Sequence, residues 1–179
     1  HSELIDHMFY DGLQSPWDGQ AMGCFADATA DKYGLTRAAQ DALAAESVRR
    51  AQRAVRDGDF IAEVAPVTFK TRKGEQVVAQ DETPFALDID KIPTLKPAFR
   101  KEGGRITAGT SSPISDGAAG VLLCSAEAAE RHGLTIRARI IDQTTVGVDP
   151  IIMLTGPIPA TRKLLDRNGL TVDDIDLFE

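Results

Sequence analysis

Residues 105–123 constrain the fold more than any other part of this sequence. Their first half, residues 107–112, is a loop of small residues, and residues 118–124 then form an unbroken apolar run. Small side chains let a ligand approach the backbone, and free hydroxyl and N–H groups can bond a polar ligand. A short apolar run between turn residues is typical of a strand buried on both faces of a sheet. The pattern predicts a binding loop leading into a buried strand, and a tight connection without a ligand explains the same composition.

Charge and cysteine content exclude several classes of protein. The 179 residues carry a formal net charge of -7, which argues against a nucleic-acid or anionic-membrane partner. The two cysteines, Cys24 and Cys124, lie far apart and form no metal-binding pattern, so a reduced, cytoplasmic protein without a metal site is expected. No apolar run reaches the roughly 18 residues of a membrane span, and the N-terminus does not have the pattern of a signal peptide.

Capping and glycine signals predict four helices. Residues 20–33 have apolar side chains at helical spacing before Gly34, and Thr36 is a plausible N-cap for a helix ending near residues 57–58. Ser125 is expected to cap a short helix that stops at residues 132–133, and Pro157 to start a helix that ends at Gly169.

Alternating and β-rich stretches predict strands. Residues 61–79 indicate a β-hairpin with its turn at residues 73–74, and residues 138–145 indicate a further strand. Cys124, at the end of the predicted buried strand, is expected to be inert. Residues 174–179 have the pattern of an incoming strand that needs neighbours, which suggests a piece of a longer protein.

Residues 107–119 resemble a loop of the thiolase family that is approximately T-A-G-N-A-S-G-x-N-D-G-A-A. Thr110, Pro113 and Ser115 replace the usual Asn, Gly and Asn of that loop. The resemblance extends along nearly the whole chain. The matching residues are Thr107-Ala108-Gly109, Ser112, Asp116-Gly117-Ala118-Ala119, Met22-Gly23, Arg37, Gln40, Asp41, Glu63-Val64, Pro66-Val67, Leu95 and Pro97-Ala98-Phe99.

The resemblance implies an α/β chain that forms part of a thiolase-like fold, an α+β lid region followed by strands and helices of a layered core. Residues 1–105 would be the lid, with helices and a hairpin. Residues 106–136 would hold the binding loop with the last strand and helix of the N-terminal core half, and residues 137–179 would begin the C-terminal half.

The same resemblance implies a segment of an acyl-CoA C-acyltransferase. Thiolases transfer acetyl or acyl groups between coenzyme A thioesters through a cysteine thioester, as in fatty acid β-oxidation and other lipid metabolism. The family's nucleophilic cysteine lies upstream of the matched region, and its N-E-A-F segment would follow Glu179. This chain is therefore expected to bind coenzyme A, to contain no catalytic residue and to be inactive alone. The alternative is a non-catalytic acyl-CoA-binding or assembly module derived from a thiolase.

The resemblance also assigns binding roles. Ser112 would bond the pantetheine arm of coenzyme A with Ala108 beside it, Phe99 and Met22 would line the arm, and Met153 would line the acyl-substrate pocket. From the residues alone, Met22 could equally fill a core and Phe99 could anchor a loop. An Arg that usually holds the nucleotide end is replaced at Pro84 or Phe85.

Several further expectations follow for the whole protein. Coenzyme A would be a substrate rather than a tightly bound cofactor, and the full-length protein would be a homodimer or homotetramer. A hydrolase with Ser112 or Ser115 as nucleophile is disfavoured, because the sequence has no G-x-S-x-G elbow.

Overall fold

The computed structural model describes residues 3–179, which divide after Pro113 into two compact units. The first unit has two long helices, one hairpin and three short helical segments, and the second has two α-helices and two 3-10 turns. In the first unit these are a π-helix Met8–Leu13, α1 Met22–Lys32, α2 Arg37–Asp57, β1 Val67–Thr71, β2 Gly74–Val78, α3 Thr83–Ala86 and a 3-10 helix Ile89–Thr94. In the second they are α4 Ala126–Arg131, a 3-10 helix Pro150–Thr155, α5 Pro157–Asn168 and a 3-10 turn Val172–Asp174.

Helix α2 begins and ends where the capping signals predicted, whereas α1 begins at Met22, two residues after the predicted start, and ends before Gly34 as expected. The Thr36 side chain accepts a 3.1 Å hydrogen bond from the N–H of Ala39, which satisfies a donor that the first turn of α2 leaves free. Gly34 follows α1 at φ +65, and Gly58 ends α2 at φ +79. Residues with a Cβ rarely adopt such angles, so glycine terminates both helices.

The predicted hairpin is present but shorter than expected. Strands β1 and β2 pair antiparallel with Val67 opposite Val78 and Thr71 opposite Gly74, around a turn at residues 72–73. Residues before Pro66 instead bond locally, as the N–H of Ile61 does to the carbonyl of Gly58 at 3.1 Å. These local turns after the left-handed Gly58 also occupy the N–H groups of Glu63 and Val64, which are then not free to bond a strand partner.

The stretch after the hairpin forms two short helical segments that pack on α2. The Gln52 side-chain amide donates a 2.7 Å hydrogen bond to the carbonyl of Pro84, and the Arg56 guanidinium lies 5.6 Å from the centre of the Phe85 ring. Ile92, on the 3-10 helix Ile89–Thr94, is completely buried. This helix becomes the floor of the candidate site.

The second unit confirms both predicted helices. Ser125 caps α4 by accepting a 3.2 Å bond from the N–H of Ala128, and Gly169 ends α5 at φ +64. Asp142 accepts hydrogen bonds from Arg167 and from Asn168, each at 2.9 Å, so the preceding extended segment is tied to the last turn of α5.

Three predicted strands are not formed. Within residues 3–179 the β1–β2 hairpin is the only sheet, and residues 118–124, 138–145 and 174–179 have no strand pairing. Val121, Leu122 and Leu123 are 83%, 75% and 70% exposed, so the buried-strand prediction is wrong for this chain. Cys124 is likewise exposed, which corrects the expectation of a buried, inert thiol. A strand needs neighbours to bond its backbone, and the described residues place none beside these segments.

Candidate functional site

The candidate loop, residues 105–113, is organised around the buried side chain of Thr107. The hydroxyl of Thr110 accepts a 2.9 Å bond from the N–H of Thr107, and the Thr107 hydroxyl accepts one from the N–H of Gly109 at 3.2 Å. The Ser111 hydroxyl donates to the Thr107 carbonyl at 2.8 Å. These bonds satisfy the loop internally and leave Ala108 and Ser112 exposed. The loop thus combines a backbone held by internal hydrogen bonds with an exposed side chain at Ser112.

Gly109 brings the loop into close contact with the 3-10 helix beneath it. A Cβ at this position would lie 2.9 Å from Cδ1 of Leu95 and 3.6 Å from two carbons of Ile92. Real Cβ atoms do not approach a neighbour at under 3 Å without displacing it. A side chain at Gly109 would therefore require the end of the Leu95 side chain to move, whereas its contact with Ile92 would be an ordinary one.

Phe99 lies directly on helix α1. A Cβ built on Gly23 would fall 2.1 to 2.3 Å from three carbons of the Phe99 ring, so the ring occupies the space that Gly23 leaves. The N–H of Ala98 also donates a 2.9 Å bond to the carbonyl of Ile106, which joins the Phe99 segment to the start of the loop. Phe99 remains 42% exposed, and Met22, the neighbour of Gly23, is half-buried. Both keep surface available to an apolar ligand.

The structure accordingly places four of the five predicted binding residues in the first unit. Phe99 adjoins the helix that carries Met22, and its segment is bonded to the loop that carries Ala108 and Ser112. The fifth, Met153, belongs to the second unit, where it is 43% exposed on the 3-10 helix Pro150–Thr155.

A buried carboxylate holds the start of the loop. Asp27, on α1, is fully buried, and its Oδ1 accepts a 2.7 Å hydrogen bond from the backbone N–H of Arg105. Its Oδ2 is also buried and has no hydrogen-bond partner among residues 3–179. One turn further along α1, Asp31 pairs with the side chains of Arg100 and Arg105. The Arg100 guanidinium, and after it Arg105, lower the pKa of Asp31 below its ordinary value.

Sequence reasoning gave neither acidic residue a role. The signal that could have revealed them is the spacing of Gly23, Asp27 and Asp31, which puts one glycine and two carboxylates on one face of α1. A helix face of that kind, buried at Gly23 and Asp27, has to meet hydrogen-bond donors from another part of the chain.

Arg37 supports the floor of the site. Its Nε lies 2.8 Å from both carboxylate oxygens of Asp41, and its Nη2 donates to the carbonyls of Ile92 at 3.1 Å and Leu95 at 2.9 Å. Asp41 is buried, so the guanidinium neutralises a charge that water cannot reach well. The same side chain thus pairs Asp41 and fixes the last turn of the 3-10 helix under Gly109.

Two negative findings apply to residues 3–179. The described residues contain no group of three or more His, Cys, Asp or Glu side chains placed to hold a metal ion. None of the helices described there has both the length and the apolar character needed to cross a membrane.

Known proteins similar to this chain in sequence or in structure are named acetyl-CoA acetyltransferase or thiolase. The acetyl-CoA acetyltransferase of Pseudomonas aeruginosa is 45% identical over 181 aligned residues, which cover 100% of this chain and 46% of that protein. The crystal structure of the Bacillus anthracis acetyl-CoA acetyltransferase superposes with a TM-score of 0.87 and 39% identity, over 99% of this chain and 45% of that one. A thiolase from Ascaris suum in complex with coenzyme A gives a TM-score of 0.87 and 37% identity, over 98% and 45%.

These similarities establish the fold class of the chain and the share of its relatives' length that it covers. The chain spans about half the length of the curated relatives it matches. Its superposition on solved thiolases confirms the predicted α/β, thiolase-like fold class. The model of the thiolase N-terminal domain matches residues 1–127 and that of the C-terminal domain matches residues 134–179, and on this ground the chain belongs to the thiolase family.

Proposed function

We propose that this chain is a segment of an acyl-CoA C-acyltransferase that transfers acetyl or acyl groups between coenzyme A thioesters, and that it supplies coenzyme A binding. The observation that carries the proposal is the exposed Ser112 at the end of a loop fixed around Thr107, joined to the segment of Phe99. Relatives named acetyl-CoA acetyltransferase, and a solved relative in complex with coenzyme A, support the choice of ligand.

Each binding residue has a role that its surroundings permit. The hydroxyl of Ser112 bonds an amide of the pantetheine arm, and the exposed backbone at Ala108 lies alongside it. Phe99 and Met22 contribute apolar surface for the methylene groups of the arm. Met153 lines the acyl pocket. Coenzyme A and its thioesters are substrates that must dissociate after each reaction. Each contact is therefore expected to contribute a modest binding free energy.

The covalent chemistry belongs to other residues of the whole enzyme. There, a cysteine thiolate attacks the thioester carbonyl of the acyl donor, an acyl–cysteine thioester forms, and coenzyme A leaves as its thiol. Cys24 and Cys124 do not take this role in the proposal. We therefore expect the 179-residue chain to bind coenzyme A and to show no thiolysis of acetoacetyl-CoA.

Titration calorimetry of coenzyme A into the 179-residue chain tests the binding role. Saturable binding that weakens in Ser112→Ala is the expected result, and no binding heat at concentrations that saturate a complete thiolase contradicts it. A spectrophotometric thiolysis assay tests the division of labour, because turnover by this chain alone would place a nucleophile within it. A longer reading frame that binds but never turns over would favour a non-catalytic acyl-CoA-binding or assembly module.

We further propose a cytoplasmic enzyme of lipid metabolism, such as fatty acid β-oxidation, that assembles as a homodimer or homotetramer at full length. The relatives named acetyl-CoA acetyltransferase support an acyl-CoA substrate for such an enzyme. Sedimentation of the full-length protein distinguishes a monomer from either assembly.

A further inference from the structure

We propose that Asp27 is a positioning residue for the candidate loop, through the hydrogen bond that its buried carboxylate accepts from the backbone of Arg105. The inference rests on the proposed function in one respect, since coenzyme A is taken as the ligand of the loop. The affinity of the loop for coenzyme A would then depend on Asp27, a residue that does not contact the ligand.

The geometry restrains the entrance of the loop from two sides. Asp27 Oδ1 lies 2.7 Å from the N–H of Arg105, and the next residue, Ile106, accepts a 2.9 Å bond from the N–H of Ala98. Two residues after Arg105, Thr107 is completely buried and starts the internal bonding of the loop. The anchor therefore sits at the point where the chain passes from the arginine-bearing segment into the ligand-facing residues.

The form of the anchor points to positioning rather than to general stabilisation. Asp27 presents one oxygen to a single N–H, and its second oxygen is buried without a partner in the described chain. An unpartnered buried carboxylate oxygen is unfavourable, so the carboxylate is a poor way to fill space in a core. What it supplies is a charge-assisted bond, which is shorter and stronger than one to a neutral acceptor.

The side-chain ion pair of the same segment is a separate element. Asp31 is about half exposed and pairs with the guanidinium groups of Arg100 and Arg105, whereas Asp27 bonds the backbone of Arg105. Removing Asp31 leaves the backbone bond to Asp27 in place. The two carboxylates can therefore be tested independently.

Three substitutions separate the anchor from bulk stability. Asp27→Leu removes the acceptor at similar size, and Asp27→Asn keeps a neutral acceptor oxygen. Phe25→Leu alters a buried residue of the same helix without removing the bond, and it serves as a control for a loss of core packing. Asp31→Asn removes the side-chain ion pair alone.

Amide hydrogen exchange in the ligand-free 179-residue chain gives the readout that does not depend on coenzyme A. In Asp27→Leu we expect the amides of residues 105, 107 and 109 to exchange about tenfold faster or more, and coenzyme A affinity to fall by about tenfold. In Asp27→Asn the Arg105 amide resonance should move upfield and its exchange rise by about threefold, with affinity within about threefold of the parent chain. Phe25→Leu and Asp31→Asn should leave the exchange at residue 107 within about twofold.

Two results overturn the inference. One is an Asp27→Leu chain whose melting temperature falls while loop exchange and affinity stay as in the Phe25→Leu control. The other, decisive even if Asp27→Leu does not fold, is an Arg105 amide whose shift and exchange are unchanged in Asp27→Asn. A parent chain that fails to bind coenzyme A refutes the proposed function, whereas the exchange measurements then still decide whether Asp27 anchors the loop.

Discussion

The carboxylate of Asp27 and the backbone N–H of Arg105 lie 2.7 Å apart although 78 residues separate them in the sequence. Arg37 makes comparable connections, reaching the carbonyls of Ile92 and Leu95, 55 and 58 residues away. Helix α1 thus holds the start of the loop, and the first turn of α2 holds the 3-10 helix on which the loop lies. The conformation of the candidate site depends on these long-range contacts as well as on its own small residues.

Replacing Ser112 with alanine is expected to weaken coenzyme A binding about two- to tenfold, the usual range for losing one hydrogen bond of about 0.5–1.5 kcal/mol. Because Ser112 is exposed, the melting temperature should stay unchanged. Calorimetry and a thermal melt measure the two effects. Ser111→Ala is the comparison variant: the Ser111 hydroxyl bonds the Thr107 carbonyl, so its loss should lower the melting temperature, which the loss of the Ser112 hydroxyl should not. Equal affinity of Ser112→Ala and the parent chain would remove Ser112 from the site.

Replacing Gly23 with alanine is expected to displace the Phe99 ring, because the new Cβ would overlap it at 2.1 Å. Alanine gains about 1 kcal/mol over glycine in a helix, while overpacking costs about 1–3 kcal/mol, so stability should change by less than about 2 kcal/mol. Expressed as free energies, the loss of affinity for coenzyme A should exceed the loss of stability. Gly12→Ala is the control, since a Cβ there meets nothing within 4 Å. A Phe99 environment unchanged by NMR would contradict this account.

Replacing Arg37 with methionine is expected to destabilise the first unit by about 3–5 kcal/mol, because Asp41 is left as a buried charge without its partner. The double variant Arg37→Met with Asp41→Leu should recover part of that loss, since no buried charge remains. Urea unfolding of the parent and variant chains measures both free energies. If the double variant is no more stable than the single one, the loss comes from the bonds to Ile92 and Leu95 instead.

The pairing of Asp31 with Arg100 and Arg105 predicts a pH dependence of stability. These guanidinium groups lower the pKa of Asp31 from its ordinary value of 3.8, so near that pH the unfolded chain binds more protons than the folded one. The contribution is therefore complete above the ordinary pKa and is lost as the pH falls through the folded pKa. As the pH is lowered from about 6 to about 3, the urea midpoint of unfolding should fall less steeply in Asp31→Asn than in the parent chain. Asp81→Asn, a change at an exposed loop residue, should leave the slope unaltered.

Local signals predicted the helices because their ends are set by single residues. Thr36 and Ser125 cap α2 and α4 as expected, and Gly58 and Gly169 adopt the left-handed angles that end α2 and α5. Each of these features depends on a few neighbouring residues. A sequence pattern predicts such features accurately because the interactions that form them involve only neighbouring residues.

The remaining features depend on contacts that no local pattern contains. The small residues 107–112 indicated a loop, but its anchors Asp27 and Arg37 lie far away in sequence and become recognisable only when α1 and α2 are placed. The strand at residues 118–124 was predicted from a sound apolar pattern, yet a pattern does not provide the neighbours that a strand must bond. The binding roles of Ser112, Ala108, Phe99, Met22 and Met153 remain predictions.

The exposed apolar side chains of Val121, Leu122 and Leu123 have a practical consequence for anyone who handles the isolated chain. These three adjacent apolar residues lie on a backbone without strand pairing, so the same segment of another molecule can pair with it and cause aggregation. Preparations should turn cloudy as concentration rises, and dilute stocks or a charged substitution at Leu122 should keep them clear.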